Sequence, residues 1–129
     1  MAEPIDENAV FAAVGEDGFT RLVAAFYRQV PEDDILGPMY PADEMPEAEK
    51  RLRDFLIYRF GGPQDYIQER GHPRLRARHA PFAITPEASQ RWMEVMSRAF
   101  DEASLDAGAE ATLRQFFEHM TAFLVNRPA

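Results

Sequence analysis

The stretch Phe19-Thr20-Arg21-Leu22-Val23-Ala24-Ala25-Phe26-Tyr27-Arg28-Gln29-Val30, closed by Pro31, decides the fold class. Its apolar positions 19, 22, 23, 26, 27 and 30 recur at steps of three and four, which draws one stripe along a helix. Pro31 ends the pattern, because proline lacks the N–H that a continuing helix needs. Upstream, a shorter helical piece from about Asp6 to Val14 runs into Gly15, a residue suited to a helix stop.

The same period continues downstream. Residues 31–46 hold four prolines (31, 38, 41 and 46) and read as an irregular connection containing Tyr40. A helix from about Pro46 to Phe60 puts Ala48, Leu52, Phe55 and Leu56 on one face, and Gly61-Gly62-Pro63 halts it. Thr85-Pro86-Glu87 is a helix start: a capping hydroxyl, a proline at the first position and an acid at the positive dipole end. That helix is expected to bury Trp92, Val95, Met96, Ala99 and Phe100. A last one, from about Asp106, is expected to bury Leu113, Phe116, Phe117, Met120 and Leu124. No segment alternates with period two for long, so the chain reads as all-α.

The 129 residues make one domain, with residues 1–7 as an acidic N-terminal extension. No apolar run approaches the roughly 18–20 residues of a membrane helix, and the start lacks the order of a secretory signal. A cytoplasmic protein is expected. With no cysteine, disulfides, thiolate metal sites and cysteine nucleophiles are excluded. A net charge of −8 argues against nucleic acid and anionic membrane surfaces as partners.

Chemistry is sought first at the three histidines. His119 lies off the apolar stripe of the last helix, and His72 is held between Gly71 and Pro73. His79 differs, because Leu75, His79 and Phe82 are spaced four and three apart, which sets the imidazole on an apolar face. Spacing leaves it either a core histidine or a ligand. Arg70, Arg74, Arg76 and Arg78 cluster around it in an otherwise acidic chain. They suit a solvated loop, or a cofactor with carboxylates to which guanidinium binds in bidentate fashion. Tyr27 and Trp92 carry polar tips on inward faces; such tips need partners when buried. They fit an ordinary core or a polar spot in an apolar cavity. The sequence contains no zinc-protease pattern, nucleophile elbow or phosphate loop.

Taken together, Gly61-Gly62-Pro63, Tyr66 and Gly71-His72-Pro73-Arg74-Leu75-Arg76-Ala77-Arg78-His79-Ala80-Pro81-Phe82 resemble the proximal-histidine stretch of the truncated haemoglobins, group II. Phe26-Tyr27, Tyr40-Pro41, Arg51-Leu52-Arg53 and Trp92 fall where that family's pattern has them, and the similarity runs from about Phe19 to Arg127. Two departures are the single glycine in Val14-Gly15-Glu16 and the extension before Asn8. The resemblance implies a truncated globin fold, a two-on-two helical sandwich around haem b (iron protoporphyrin IX). It implies His79 as the proximal iron ligand, and Tyr27, Tyr40, Trp92, Ala48 and Leu52 on the distal side. Arg51, Tyr66, Arg78, Phe55 and Phe82 are implied as propionate or haem contacts. The function implied is binding of O2, CO and NO at five-coordinate iron, with slow oxygen release from Tyr and Trp donors. The alternatives are a redox enzyme, an NO dioxygenase or peroxidase served by an external reductase, and a haem-free helical module. Either a monomer or a homodimer is compatible with this reading.

Overall fold

A computed structural model of the chain describes residues 2–63 and 84–128. Four α-helices span them: α1 (Val10–Gln29), α2 (Met45–Arg59), α3 (Pro86–Ala103) and α4 (Ala107–Leu124). Among the described residues there is no strand, and no helix is long and apolar enough to cross a membrane. α1 lies against α2 and α3, and α3 against α4, so the helices form two pairs joined through α1 and α3.

Local signals account for most of the boundaries. Gly15 breaks α1 with φ 74° and ψ 167°, and a Cβ built there meets nothing within 4 Å. A single glycine therefore serves the kink, through backbone freedom and not through close packing. At the far end the α-helix stops at Gln29, and Val30–Glu32, with Pro31 inside, tightens into one 3₁₀ turn. The proline-rich connection is more regular than the sequence suggests, with further 3₁₀ turns at Gly37–Met39 and Ala42–Glu44. The Thr85 side chain caps α3 by accepting from the Ala88 N–H at 3.1 Å. Asp106 caps α4 by accepting from the Ala109 N–H at 3.0 Å. Each such cap is worth about 1 kcal/mol.

The α1 stripe faces inward as its period requires: Phe19, Leu22, Val23, Phe26 and Val30 are fully buried, and Tyr27 nearly so. It meets Leu56 and Phe60 at the end of α2, Val95, Met96, Ala99 and Phe100 of α3, and Leu113 of α4. Fully burying one such large apolar side chain contributes roughly 1.5–3 kcal/mol. The aromatic rings run on continuously, Phe26 to Trp92 at 4.8 Å, Trp92 to Phe117 at 5.1 Å and Phe116 to Phe60 at 5.0 Å between centroids. Three expectations need correction. Trp92, Met120 and Leu124 are only half-buried, because they border a cavity instead of closing the core. The N-terminal residues touch α4, where Thr112 Oγ1 donates to the Ile5 carbonyl at 2.6 Å.

Candidate functional site

Helical spacing builds one wall of the site. On α2, Ala48, Arg51, Leu52 and Phe55 stand at steps of three, four and seven, and all four line one cavity of about 500 Å³. Across from them, Ala88, Ser89 and Trp92 of α3 repeat the same spacing. The floor is Phe116, Phe117, Met120 and Leu124 of α4, and the connection adds Leu36, Met39 and Tyr40. Ala48 and Ala88 matter through size. A larger side chain at either would take up space that the methyl groups leave open.

Polar groups are few and converge. The rings of Tyr27 and Tyr40 meet edge to face, 5.6 Å between centroids and 86° between planes. Burial pushes the Tyr27 phenol well above its ordinary range; Tyr40 adds to this by charge and by hydrogen bonding, and Arg51 opposes it. Burial likewise raises Tyr40, while hydrogen bonds from Trp92 and Tyr27 and the charge of Arg51 pull it back. Indole has only a donor, so toward the Tyr40 phenol the Trp92 N–H can act only as donor, and the polar tips of Tyr27, Tyr40 and Trp92 lie together at the cavity wall. Both phenols stay protonated at neutral pH. Glu44 and Arg51, both exposed, stand at the rim with Thr121 and Ser89.

Of the residues singled out by sequence, Tyr27, Tyr40, Ala48, Arg51, Leu52, Phe55 and Trp92 therefore share this cavity. His79, Tyr66, Arg78 and Phe82 lie outside the described residues, as do His72, Arg70, Arg74 and Arg76. His119 is exposed. Among the described residues no group of three or more His, Cys, Asp or Glu side chains is placed to hold a bare metal ion. The sequence reading missed Ala88 and Ser89, although both stand one turn before Trp92 and helical spacing could have found them. It also missed Leu36 and Met39, for which the irregular connection offers no period to read.

Comparison with known proteins agrees with this arrangement. The sequence profile of the bacterial-like globins matches residues 9–126. The chain is 39% identical over 109 residues to the group 2 truncated hemoglobin YjbI of Bacillus subtilis, covering 84% of this chain and 79% of that protein. A thermostable hemoglobin from the actinobacterium Thermobifida fusca superposes with a TM-score of 0.87 at 43% identity, over 93% of this chain and 98% of that one. The truncated oxygen-avid haemoglobin of Bacillus subtilis does so with a TM-score of 0.87 at 37% identity, over 92% of this chain and 100% of that one.

Proposed function

The chain belongs to the bacterial-like globins, as a truncated haemoglobin of group II, and from that premise we propose that it binds haem b through His79 and holds O2 in the cavity bordered by Tyr27, Tyr40 and Trp92. CO and NO are further ligands of the same site. The observation that carries this reading is the convergence of three side chains able to donate hydrogen bonds on a cavity whose lining is mostly apolar, its other polar residues standing at the rim. A cofactor site is a largely apolar concavity of about 300–1,000 Å³ with a few placed polar groups. The cavity has that size and that composition.

The residues fit haem in detail. Leu52, Phe55, Phe116 and Met120 offer apolar contact to a flat macrocycle, and the exposed Arg51 stands at the rim, where a propionate carboxylate would meet a guanidinium. Haem, when bound, would supply an iron able to take a histidine and a diatomic gas as ligands. The chain's part is to set the polarity at the gas position. Tyr27, Tyr40 and Trp92 would do this together, as O–H and N–H donors that border one cavity. A ligand that gains negative charge accepts such a bond more strongly than a neutral one. Slow O2 release follows, which suits scavenging better than bulk transport; the oxygen-avid relative from Bacillus subtilis supports the same reading.

Absorption spectra of the purified protein in ferric, ferrous and CO forms test this. A Soret band is expected in each, and none after haem addition would refute it. Replacing His79 by Gly should abolish five-coordinate haem binding, with recovery on adding imidazole; unchanged spectra in His79→Gly would remove His79 from the iron.

A further inference from the structure

Tyr40 reaches the cavity on a segment with little backbone support of its own. Between Val30 and Glu44 the backbone hydrogen bonds are local, such as Asp33 N–H to Val30 at 3.0 Å, Gly37 N–H to Asp33 at 2.9 Å and Tyr40 N–H to Gly37 at 3.2 Å. Short 3₁₀ turns have weaker hydrogen-bond geometry than α-helix. Side chains must therefore set where this segment lies against α3. The fully buried Leu36 is one anchor. The other is ionic. Arg91 of α3 donates through Nη1 to Asp33 at 3.0 Å and to Asp34 at 2.8 Å, and through Nε it pairs with Glu94 at 3.2 Å.

Asp33 is the member of this group built into the structure. Its side chain is 7% exposed, against 84% for Asp34. Its second oxygen accepts the N–H groups of Ile35 at 2.9 Å and Leu36 at 2.8 Å. One carboxylate thus joins a guanidinium on α3 to the turn that leads into Tyr40. Arg91 also directly precedes Trp92. The 3.6-residue period turns successive side chains by about 100°, so Trp92 borders the cavity while Arg91 reaches around to the connection.

We propose that Arg91 and Asp33 are a positioning pair for ligand binding: they hold the segment carrying Tyr40 against the helix carrying Trp92, and so fix how the phenol and the indole stand to one another at the cavity wall. The inference rests on reading the cavity as the ligand side of a haem pocket. Surface ion pairs contribute little. This one differs because Asp33 is buried and multiply bonded, so removing its cation leaves a desolvated charge without its partner. Such a group relaxes toward water, and the turn it anchors would move with it. Tyr40, a few residues on, would then lose its register with the indole.

The test uses Arg91→Met and Asp33→Asn in the haem-loaded protein, with Arg28→Met as control. The amide oxygen introduced by Asp33→Asn would still accept from the Ile35 and Leu36 N–H groups, so that variant isolates the ion pair. Arg28 pairs with Glu102 and ties α1, not the connection, to α3, and it does not line the cavity. Two readouts are taken: the O2 dissociation rate, and the NMR resonance of the indole N–H, which is unambiguous because the chain has one tryptophan. Loss of one hydrogen bond's worth of ligand stabilisation should speed O2 dissociation about threefold to tenfold in both variants and shift the indole resonance. Arg28→Met should leave both readouts as in the unaltered protein. A brace with no positioning role would lower Tm in Arg91→Met and Asp33→Asn while both readouts stayed put, and that result overturns the proposal. Should the unaltered protein take up no haem, the reading of the cavity fails by itself. An indole resonance unmoved by either variant would then still refute the pairing.

Discussion

Replacing Trp92 by Phe removes one donor and keeps most of a ring. The indole packs on Phe26 at 4.8 Å and on Phe117 at 5.1 Å between centroids, contacts that a phenyl ring largely preserves. What disappears is the N–H that bonds to the Tyr40 oxygen. A hydrogen bond to a neutral partner contributes about 0.5–1.5 kcal/mol, and one to a charge-bearing partner about 1.5–3 kcal/mol. At about 1.4 kcal/mol per factor of ten, O2 dissociation should rise about twofold to tenfold if Trp92 acts only through Tyr40. It should rise about tenfold to a hundredfold if the indole also meets the ligand. CO accepts hydrogen bonds weakly, so its dissociation should change far less. Stopped-flow displacement of each gas measures both rates. An O2 rate unchanged in a variant that still binds haem would refute the donor role. Equal acceleration of O2 and CO would reassign the effect to lost bulk. The Tyr40 phenol gives a separate check, because the bond from Trp92 lowers its pKa. Its ultraviolet titration should move up in the Phe variant.

Two further predictions concern the scaffold. Gly61 adopts φ 97°, and a Cβ there would lie 2.6 Å from the Asn8 carbonyl oxygen; Gly61→Ala combines left-handed strain of about 1–2 kcal/mol with a backbone clash. Calorimetry should show a Tm lower by several degrees, and an unchanged Tm would mean that the turn at Asn8 yields freely. Burial pushes the Asp33 carboxyl up, but bonds from the Leu36 N–H, Arg91 and the Ile35 N–H outweigh it and leave the group below its ordinary 3.8. A folded-state pKa below the unfolded one means that the folded protein binds fewer protons, so the stabilisation is complete above the unfolded value and fades as pH falls through the folded one. Urea midpoints of the unaltered protein and Asp33→Asn should differ at neutral pH and converge below about pH 3.8; a constant gap would place the effect outside the charge.

Much of this fold is legible in sequence because it is decided locally. The three-and-four spacing from Phe19 to Val30, the left-handed Gly15, the Thr85 cap and the Asp106 cap each depend on groups within a turn of one another. The same holds for the α2 wall, where Ala48, Arg51, Leu52 and Phe55 follow from one helical period. Ser104 is an exception at this scale: it ends α3 with φ 54°, a conformation that glycine or asparagine would have announced. The fold and the haem pocket expected at His79 also rested on a long resemblance around that residue, which no single spacing rule supplies.

Other features appear only once the helices pack. That Trp92 is half-buried, and not closed into the core, depends on small residues at 48 and 88 on two different helices. Tyr27, Tyr40 and Trp92 border one cavity although the three residues come from α1, the connection and α3. The Arg91–Asp33 pair spans 58 residues, and no pattern in either segment points to the other. Helix periods report which face is apolar, because that is a property of neighbours in sequence. Which polar tips converge, and what space they leave between them, depends on the distances between helices, and only the tertiary structure sets those.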